Sequence, residues 1–565
     1  MKRTLKKAVA GLLALTLAAG MIGCGAENQT RPEETKAPEV IQVQPKKEKC
    51  TDLGTPLADV RVRQALALAI DMDTVIEALF HENAEKTDSF AGISRSWECD
   101  PELAKELLAE AGWPTEYVLD VVYTGDAQTE DLLNAIGTCW EAIGVRAEFR
   151  KLEGDVEAQL WAAPEDPAED DAAVDWDLAL STLMPLTSWD SYSSFASDSP
   201  RNSHTPPQKD LDDLIEQAAA ADETQREAAV AAVQQILTEQ VLAIGLMQQN
   251  VFFYTSDHLS GAEHAAGNDR YVYTKDILNW TTDREDETLY TNGGPVNFYV
   301  TPLAEPGQYL YQELIFERLL HADGDLNPTD GMLAESYHLS EDGLQLEFIF
   351  RDDLTWQDGE LLTAEDVKFT FELYLQANDV NPVLKAVLDA LEGAADFRSG
   401  ITEDCSGILV EENRIIFRFA TAAPDALTVF SQWPVLPKHC LEKADPENLQ
   451  KDSFWKAPIG SGPYRVAETV MGEYAVLEHW EDYRISGEGN IRRIYLAASG
   501  ETDEDLVLRA DMDMLDLGWG ISTDDAWAMD RMEGMKVMVL KIPCIRCFFI
   551  NQFPHESYLA QTEND

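Results

Sequence analysis

Apolar positions between residues 59 and 151 recur first at helical and then at strand spacing. Asp59 can cap a helix running through Ala69, with Val62, Leu66, Ala69 and Ile70 on one face. Asp73 can cap the next, which carries Val75, Ile76, Leu79 and Phe80. Asp100-Pro101 opens a third, because proline suits the first helical position. Leu103, Leu107, Leu108 and Ala111 follow on one face, and Gly112 closes the helix. Tyr117–Thr124 predicts a strand, Glu130–Ile143 a helix ending at Gly144, and Val145–Lys151 a strand. A strand–helix–strand unit of this length implies a parallel crossover, so this half is α/β.

Further along, Pro164–Asp175 is an acidic loop and Trp176–Leu183 a strand. Ser188–Pro207 is rich in Ser, Asp, Pro and Asn and predicts loop. Leu211–Ala220 and Glu223–Gln240 predict helices, and Ala243–Tyr254 one apolar strand. The second half opens with a strand at Leu289–Asn292, then a helix over Gln308–His321. Leu344–Arg351 alternates as a strand does. Thr363 and Asp366 form a capping box for a helix through Gln376. Ile408–Glu411 and Arg414–Phe419 pair as a hairpin around Glu412-Asn413. Tyr474–His479 and Ile491–Ala497 are further strands.

The amino-terminal segment reads as an export signal. Lys2, Arg3, Lys6 and Lys7 precede the apolar stretch Ala8–Gly23, which is short for a membrane span. Met21-Ile22-Gly23-Cys24 resembles a bacterial lipobox, which would place a lipid on Cys24. Residues 25–50 are expected to be a disordered tether, too polar to bury a core. No later segment offers about twenty consecutive apolar residues. The body that follows is long enough for two or three domains.

Composition narrows the partners. The chain carries 103 Asp and Glu against 43 Lys and Arg, a formal charge of −60. That excludes the basic footprint that nucleic acid requires. Eight scattered cysteines do not describe a small disulfide scaffold. Cys544-Ile545-Arg546-Cys547 has redox spacing, but its apolar neighbours predict a buried strand with inert thiols. No nucleophile elbow, zinc-protease helix or phosphate loop occurs, so no enzyme is expected and no catalytic residue is assigned. The nine histidines form no spaced ligand set, so neither metal nor cofactor is expected; the alternative is that His204, His258 and His264, in or near loops, bind a metal such as nickel.

Several motifs occur together. Leu333-Ala334-Glu335-Ser336 precedes Ser340-Glu341-Asp342-Gly343-Leu344. Phe350-Arg351-Asp352-Asp353, Trp356-Gln357-Asp358-Gly359 and Leu362–Val367 follow. Leu436-Pro437-Lys438-His439 and Gly460-Ser461-Gly462-Pro463-Tyr464 come later. In the first half stand Pro56–Asp71 (PLADVRVRQALALAID), Asp100–Trp113, Asp175–Ala179 and Arg226–Leu237. Together these resemble the bacterial extracytoplasmic solute-binding proteins of family 5, the peptide- and nickel-binding type that serves ABC importers. The motifs are structural punctuation rather than binding chemistry. Their order is reversed, because material like residues 289–550 comes first in the family and material like 56–280 second. Glu285-Asp286-Glu287 would join the family's final strand to its opening strand. The resemblance therefore implies a circular permutation, with the new break where the chain crosses between lobes. Fusion of two partial genes and a truncated product are the alternatives.

The resemblance implies an α/β, two-lobed periplasmic-binding-protein-like flytrap (type II, cluster C) with an extra subdomain. Residues 1–24 would be signal, 25–50 tether and 51–242 the second lobe. Residues 243–334 and 456–565 would form the first lobe, carrying residues 335–455 as the extra subdomain. The expected function is capture of a peptide or other small solute between the lobes and delivery to an ABC permease. The expected protein is a monomer held by lipid on Cys24 at the outer face of the cell membrane, with no nucleic acid. The alternative is a degenerate fold serving as a surface receptor or scaffold. Peptide binders of the family hold the ligand's α-amino group with a carboxylate. Leu186 stands at that position here, and Asp190 is nearby. Trp189 and Tyr192 could stack on a ligand, and Trp433 and Trp519 are candidates for the cleft wall.

Overall fold

A computed structural model describes residues 55–86, 97–125, 127–153, 156–161, 174–183, 192–197, 199, 202, 204–218, 223–262, 276–294, 310–322, 328–378, 380–423, 425–470, 472–498, 503–520, 523–540 and 544–562. The expected signal, tether and Cys24 lie outside these residues. Among the described residues no helix is long and apolar enough to cross a membrane. The chain forms two compact units.

One unit gathers the described residues from 55 to 218, 227 to 249 and 544 to 562. Its six-stranded sheet runs, edge to edge, through Ala84–Glu85, Ala243–Gln249, Ile545–Ile550, Leu178–Leu183, Val118–Tyr123 and Arg146–Lys151. Val118–Tyr123 pairs in parallel with both Arg146–Lys151 and Leu178–Leu183, and the helix Ala127–Ala142 makes the crossover. Ile545–Ile550 is antiparallel to both its neighbours. All six of its residues are buried, and they alternate between two cores. Phe548 and Ile550 join the core beneath the helices Val60–Leu68, Met72–Leu79, Pro101–Ala111 and Ala127–Ala142. Ile545, Cys547 and Phe549 join the opposite one, with Trp176, Tyr192, Leu211 and Leu237. A strand covered on both faces is expected to be apolar, and in this one Arg546 is the exception.

The other unit holds residues 250 to 540. Its seven-stranded sheet has the order Tyr464–Val470, Tyr474–His479, Arg493–Ala498, Thr288–Gly294, Leu517–Trp519, Val251–Ser256 and Met535–Leu540. A four-stranded antiparallel sheet in the same unit is built from Ala334–Leu339, Gln345–Phe350, Arg414–Arg418 and Ile408–Glu411.

Several expectations are met in detail. Thr363 and Asp366 form the capping box of the helix Ala364–Gln376. Gly359 takes φ 93° in the turn closed by its own N–H on the Trp356 carbonyl at 2.9 Å. Arg63, inside the Pro56–Asp71 motif, is buried and donates to the carbonyls of Leu57, Ala58, Gln240 and Val241. Burial pulls its pKa down to about 10. Its work is to satisfy chain-end carbonyls, which makes it scaffold.

Other expectations are corrected. Asp71, not Asp73, caps the helix Met72–Leu79, accepting from the Thr74 N–H. The helix expected over Gln308–His321 spans Leu310–Ile315 and gives way to a strand at Leu320–Ala322. The reason is a docking glycine motif. The Gly462 N–H takes the Ile315 carbonyl at 2.7 Å, and a Cβ on Gly460 would stand 1.9 Å from that oxygen. The expected strand Ala243–Tyr254 is two strands, Ala243–Gln249 and Val251–Ser256, each in a different sheet. The lobe boundary expected at 242 therefore falls at Gln249–Asn250. Residues 544–562, expected in the first lobe, belong to the six-stranded unit with residues 55–218. Gln552 stands beside the start of the first helices, with the Thr55 hydroxyl 3.2 Å from its carbonyl.

Candidate functional site

In open α/β sheets ligands bind beyond the carboxyl ends of the parallel strands. In the seven-stranded unit the parallel strands are Thr288–Gly294, Arg493–Ala498 and Leu517–Trp519. Trp519 is the last residue of its strand and is partly exposed. Two glycines fix its place. A Cβ on Gly518 would meet the Tyr254 ring at 2.4 Å, and Gly520 has φ 81°. The Asn292 side-chain amide donates to the Trp519 carbonyl at 3.0 Å, tying two strand ends together. Trp519 thus stands where a sheet of this kind presents side chains to a ligand.

Trp433 is placed differently. It ends the helix Ala426–Gln432, and its ring is fully buried. The chain on either side is pinned. The Tyr374 hydroxyl donates to the Pro434 carbonyl at 2.9 Å, and the Val435 N–H to the Glu317 carbonyl at 3.0 Å.

In the six-stranded unit Tyr192 is 1% exposed and packs in one core with Phe195, Leu237 and Phe549. Its hydroxyl accepts from the Gln234 amide at 3.0 Å, and burial raises its pKa. Trp189 and Asp190 lie outside the described residues. They follow Leu183, which closes a parallel strand at its carboxyl end.

Arg546 was not singled out in the sequence. It is buried on Ile545–Ile550, opposite Thr182 at the carboxyl end of the parallel strands. Its guanidinium donates to the Thr129 hydroxyl at 3.0 Å and to the Gln249 side-chain Oε1 at 3.5 Å. A charged residue inside an otherwise apolar strand was the available signal. The CxxC spacing around it drew attention elsewhere. Cys544 and Cys547 are both buried.

The two described loop histidines do not converge. His204 is buried among the rings of Trp161, Trp176 and Phe549. His258 meets Asp283 and Asp513, whose contacts raise its pKa, the Asp283 hydrogen bond most. His264 lies outside the described residues.

Two α/β units, each with candidate side chains at the carboxyl ends of parallel strands, set the class of fold. The sequence comparison gives the class a family. The model of bacterial extracellular solute-binding proteins, family 5 (middle), matches residues 27–205 and 329–537, and the chain belongs to that family. Its fold is the family's two-lobed α/β fold, and the family binds solutes without catalysis. A Brucella ovis protein named as an ABC transporter peptide-binding protein is 32% identical over 195 residues, 34% of each chain. A peptide-binding protein of Agrobacterium fabrum, YejA, is 29% identical over 176 residues, 30% of this chain and 26% of its own. The chain thus spans about a third of the length of the curated relatives it matches. Among solved structures, Haemophilus influenzae OppA in complex with RPPGFSPFR is 21% identical, covering 42% of this chain and 46% of its own, with TM-score 0.35.

Proposed function

We propose that this protein is the substrate-binding component of an ABC importer, with a peptide as its first candidate solute. The observation that carries the reading is the family match on both long segments of the chain. The names of the similar Brucella and Agrobacterium proteins support a peptide ligand. Trp519 and the segment after Leu183, which holds Trp189 and Asp190, are the contacts to test first, with Arg546 as a cation for a ligand carboxylate. Lipid on Cys24 would anchor the protein outside the cell beside its permease, as a monomer. A thermal-shift screen with oligopeptide, sugar and metal pools tests the reading, because a ligand of the native state raises Tm. A shift with peptides is expected. Peptide pools that leave Tm unchanged at saturating concentration would sink it.

We also propose that the family's two parts are circularly permuted. Support comes from the carboxyl-terminal strand Ile545–Ile550, which completes the sheet holding residues 84–249, and from Thr55 beside Gln552. At the other junction, the short strand Thr281–Thr282 reaches Thr288–Gly294 through a turn whose Glu287 has φ 52°. A variant joining Thr562 to Thr55 by a flexible linker and opened at Asp286 restores the family order. It should fold with the same two units, and failure to fold would count against permutation.

A further inference from the structure

We propose that Asp358, His439 and Cys440 form a zinc-binding site on the seven-stranded unit. Their ligand atoms, one carboxylate oxygen, one imidazole nitrogen and one sulfur, lie within 4.8 Å of one another. The His439 Nε2 to Asp358 Oδ2 distance is 2.9 Å. Sequence inspection could not find the group, because the aspartate and the His-Cys pair belong to separate motifs.

Both carriers are braced before any metal arrives. Asp358 belongs to the turn closed by Gly359, and its Oδ1 accepts the Glu360 N–H at 3.1 Å. That leaves Oδ2 aimed at the imidazole. His439 and Cys440 are successive residues of the short helix Lys438–Leu441. Its first N–H, from Lys438, donates to Asp366 Oδ1 at 3.1 Å, while Asp366 Oδ2 takes the Thr363 N–H at 2.8 Å. Asp366 is buried and thereby locks the helix start to the capping box that follows the Asp358 turn. The buried Trp356 ring lies 6.2 Å from the imidazole centroid.

The donor set selects the ion. Calcium and magnesium take oxygen ligands, whereas zinc accepts thiolate, imidazole and carboxylate together. Tetrahedral zinc has bonds of about 2.0–2.3 Å to these atoms, so closing the group requires side-chain movement only. Asp358 and His439 are partly solvent-exposed and Cys440 is exposed, which leaves an entry path and a fourth position for water. Zinc takes the thiolate, so binding releases the thiol proton to solvent. Without a metal the group is a partly exposed His–carboxylate pair, which contributes little to stability.

Cobalt(II), a spectroscopic stand-in for zinc, tests the site on the full chain under reducing conditions. One equivalent should give tetrahedral ligand-field bands with a thiolate charge-transfer band, and zinc should bleach both. Cys440→Ser should lose the charge-transfer band while its metal-free melting profile matches the parent. The proposal fails if that band is absent, or persists unchanged in C440S because another thiol supplies it. A second readout needs no variant. Zinc should slow alkylation of Cys440, read by peptide mass, without slowing that of exposed Cys99. Equal Cys440 rates with and without zinc would overturn the site.

Discussion

The permutation proposed above would put two junctions in the chain, and a buried aspartate with a different cation lies beside each. In the seven-stranded unit Asp516 is 1% exposed. Its carboxylate takes the Arg284 guanidinium at 2.7–3.0 Å, the Ser256 hydroxyl at 2.8 Å and the Tyr290 N–H at 3.0 Å. Asp513 adds a second contact to Arg284 at 2.9 Å. In the six-stranded unit Asp177 is 3% exposed. It takes the Tyr117 hydroxyl at 2.7 Å, the Asp120 N–H at 2.8 Å and the His555 Nε2 at 3.0 Å. His555 Nδ1 reaches Asp175 at 3.1 Å, so both ring nitrogens face carboxylates. Each aspartate ties chain segments hundreds of residues apart. The arginine keeps its charge through neutral pH, whereas the histidine contact weakens as His555 loses its proton.

The largest effect separates the units themselves. Removing residues 543–565 deletes a strand hydrogen-bonded on both sides and buried on both faces. That loss should exceed the roughly 5–15 kcal/mol by which domains are stable. Calorimetry should then show the transition of the six-stranded unit gone and that of the seven-stranded unit retained. Loss of both transitions would mean that the units do not fold independently.

Next comes Arg284→Ala. It strands the Asp516 carboxylate in a site that excludes water. The expected cost is about 3–5 kcal/mol, read in urea on the seven-stranded unit's transition. A cost below about 1 kcal/mol would show the pair to be ornamental and the junction to be held by its turn alone.

His555 sharpens the contrast through pH. Burial works against its positive charge, but hydrogen bonds and charges from Asp177 and Asp175 outweigh that and raise its pKa above the ordinary value of about 6.5. Tyr558 lies near the ring as well, at 6.3 Å between centroids. A raised folded-state pKa gives stability that is complete below the unfolded value and disappears as pH rises through the folded one. His555→Gln should therefore cost about 1.5–3 kcal/mol at pH 6 and progressively less at alkaline pH. Arg284→Ala should vary less across that interval, its pH dependence coming only through His258, which shares Asp513 with Arg284. Parallel pH profiles for the two variants would erase the distinction between the locks.

Legibility followed locality. The capping box at Thr363, the Gly359 turn and the strands around Val118–Lys151 depend on neighbours in sequence, and each was readable. The early end of Leu310–Ile315 depends on Gly460 and Gly462, which arrive from far along the chain. The split at Asn250 was hidden because apolar residues run straight through both strands, each buried in its own sheet. Among the candidate aromatic residues, Trp519 was marked by its flanking glycines. Nothing local showed that Trp433 and Tyr192 would both be buried. The Asp358–His439–Cys440 group was invisible because proximity in space leaves no spacing in sequence.

The smallest effect tests whether the histidine lock is a pair or a network. Tyr117→Phe removes one hydrogen bond from Asp177 and leaves those from Asp120 and His555. The Tyr117 hydroxyl is buried beside Asp177, which with burial pushes its pKa far up, so it remains a neutral donor at every working pH. Removing it should cost about 0.5–1.5 kcal/mol, nearly independent of pH, if Asp177 simply loses one donor. If the three donors polarise one another, losing Tyr117 leaves more negative charge for the imidazolium to meet. The His555 pKa, followed by NMR, should then rise further in Y117F. An unchanged His555 titration with a pH-independent cost would reduce the lock to independent bonds. It would leave the contrast with Arg284 resting on the imidazole alone.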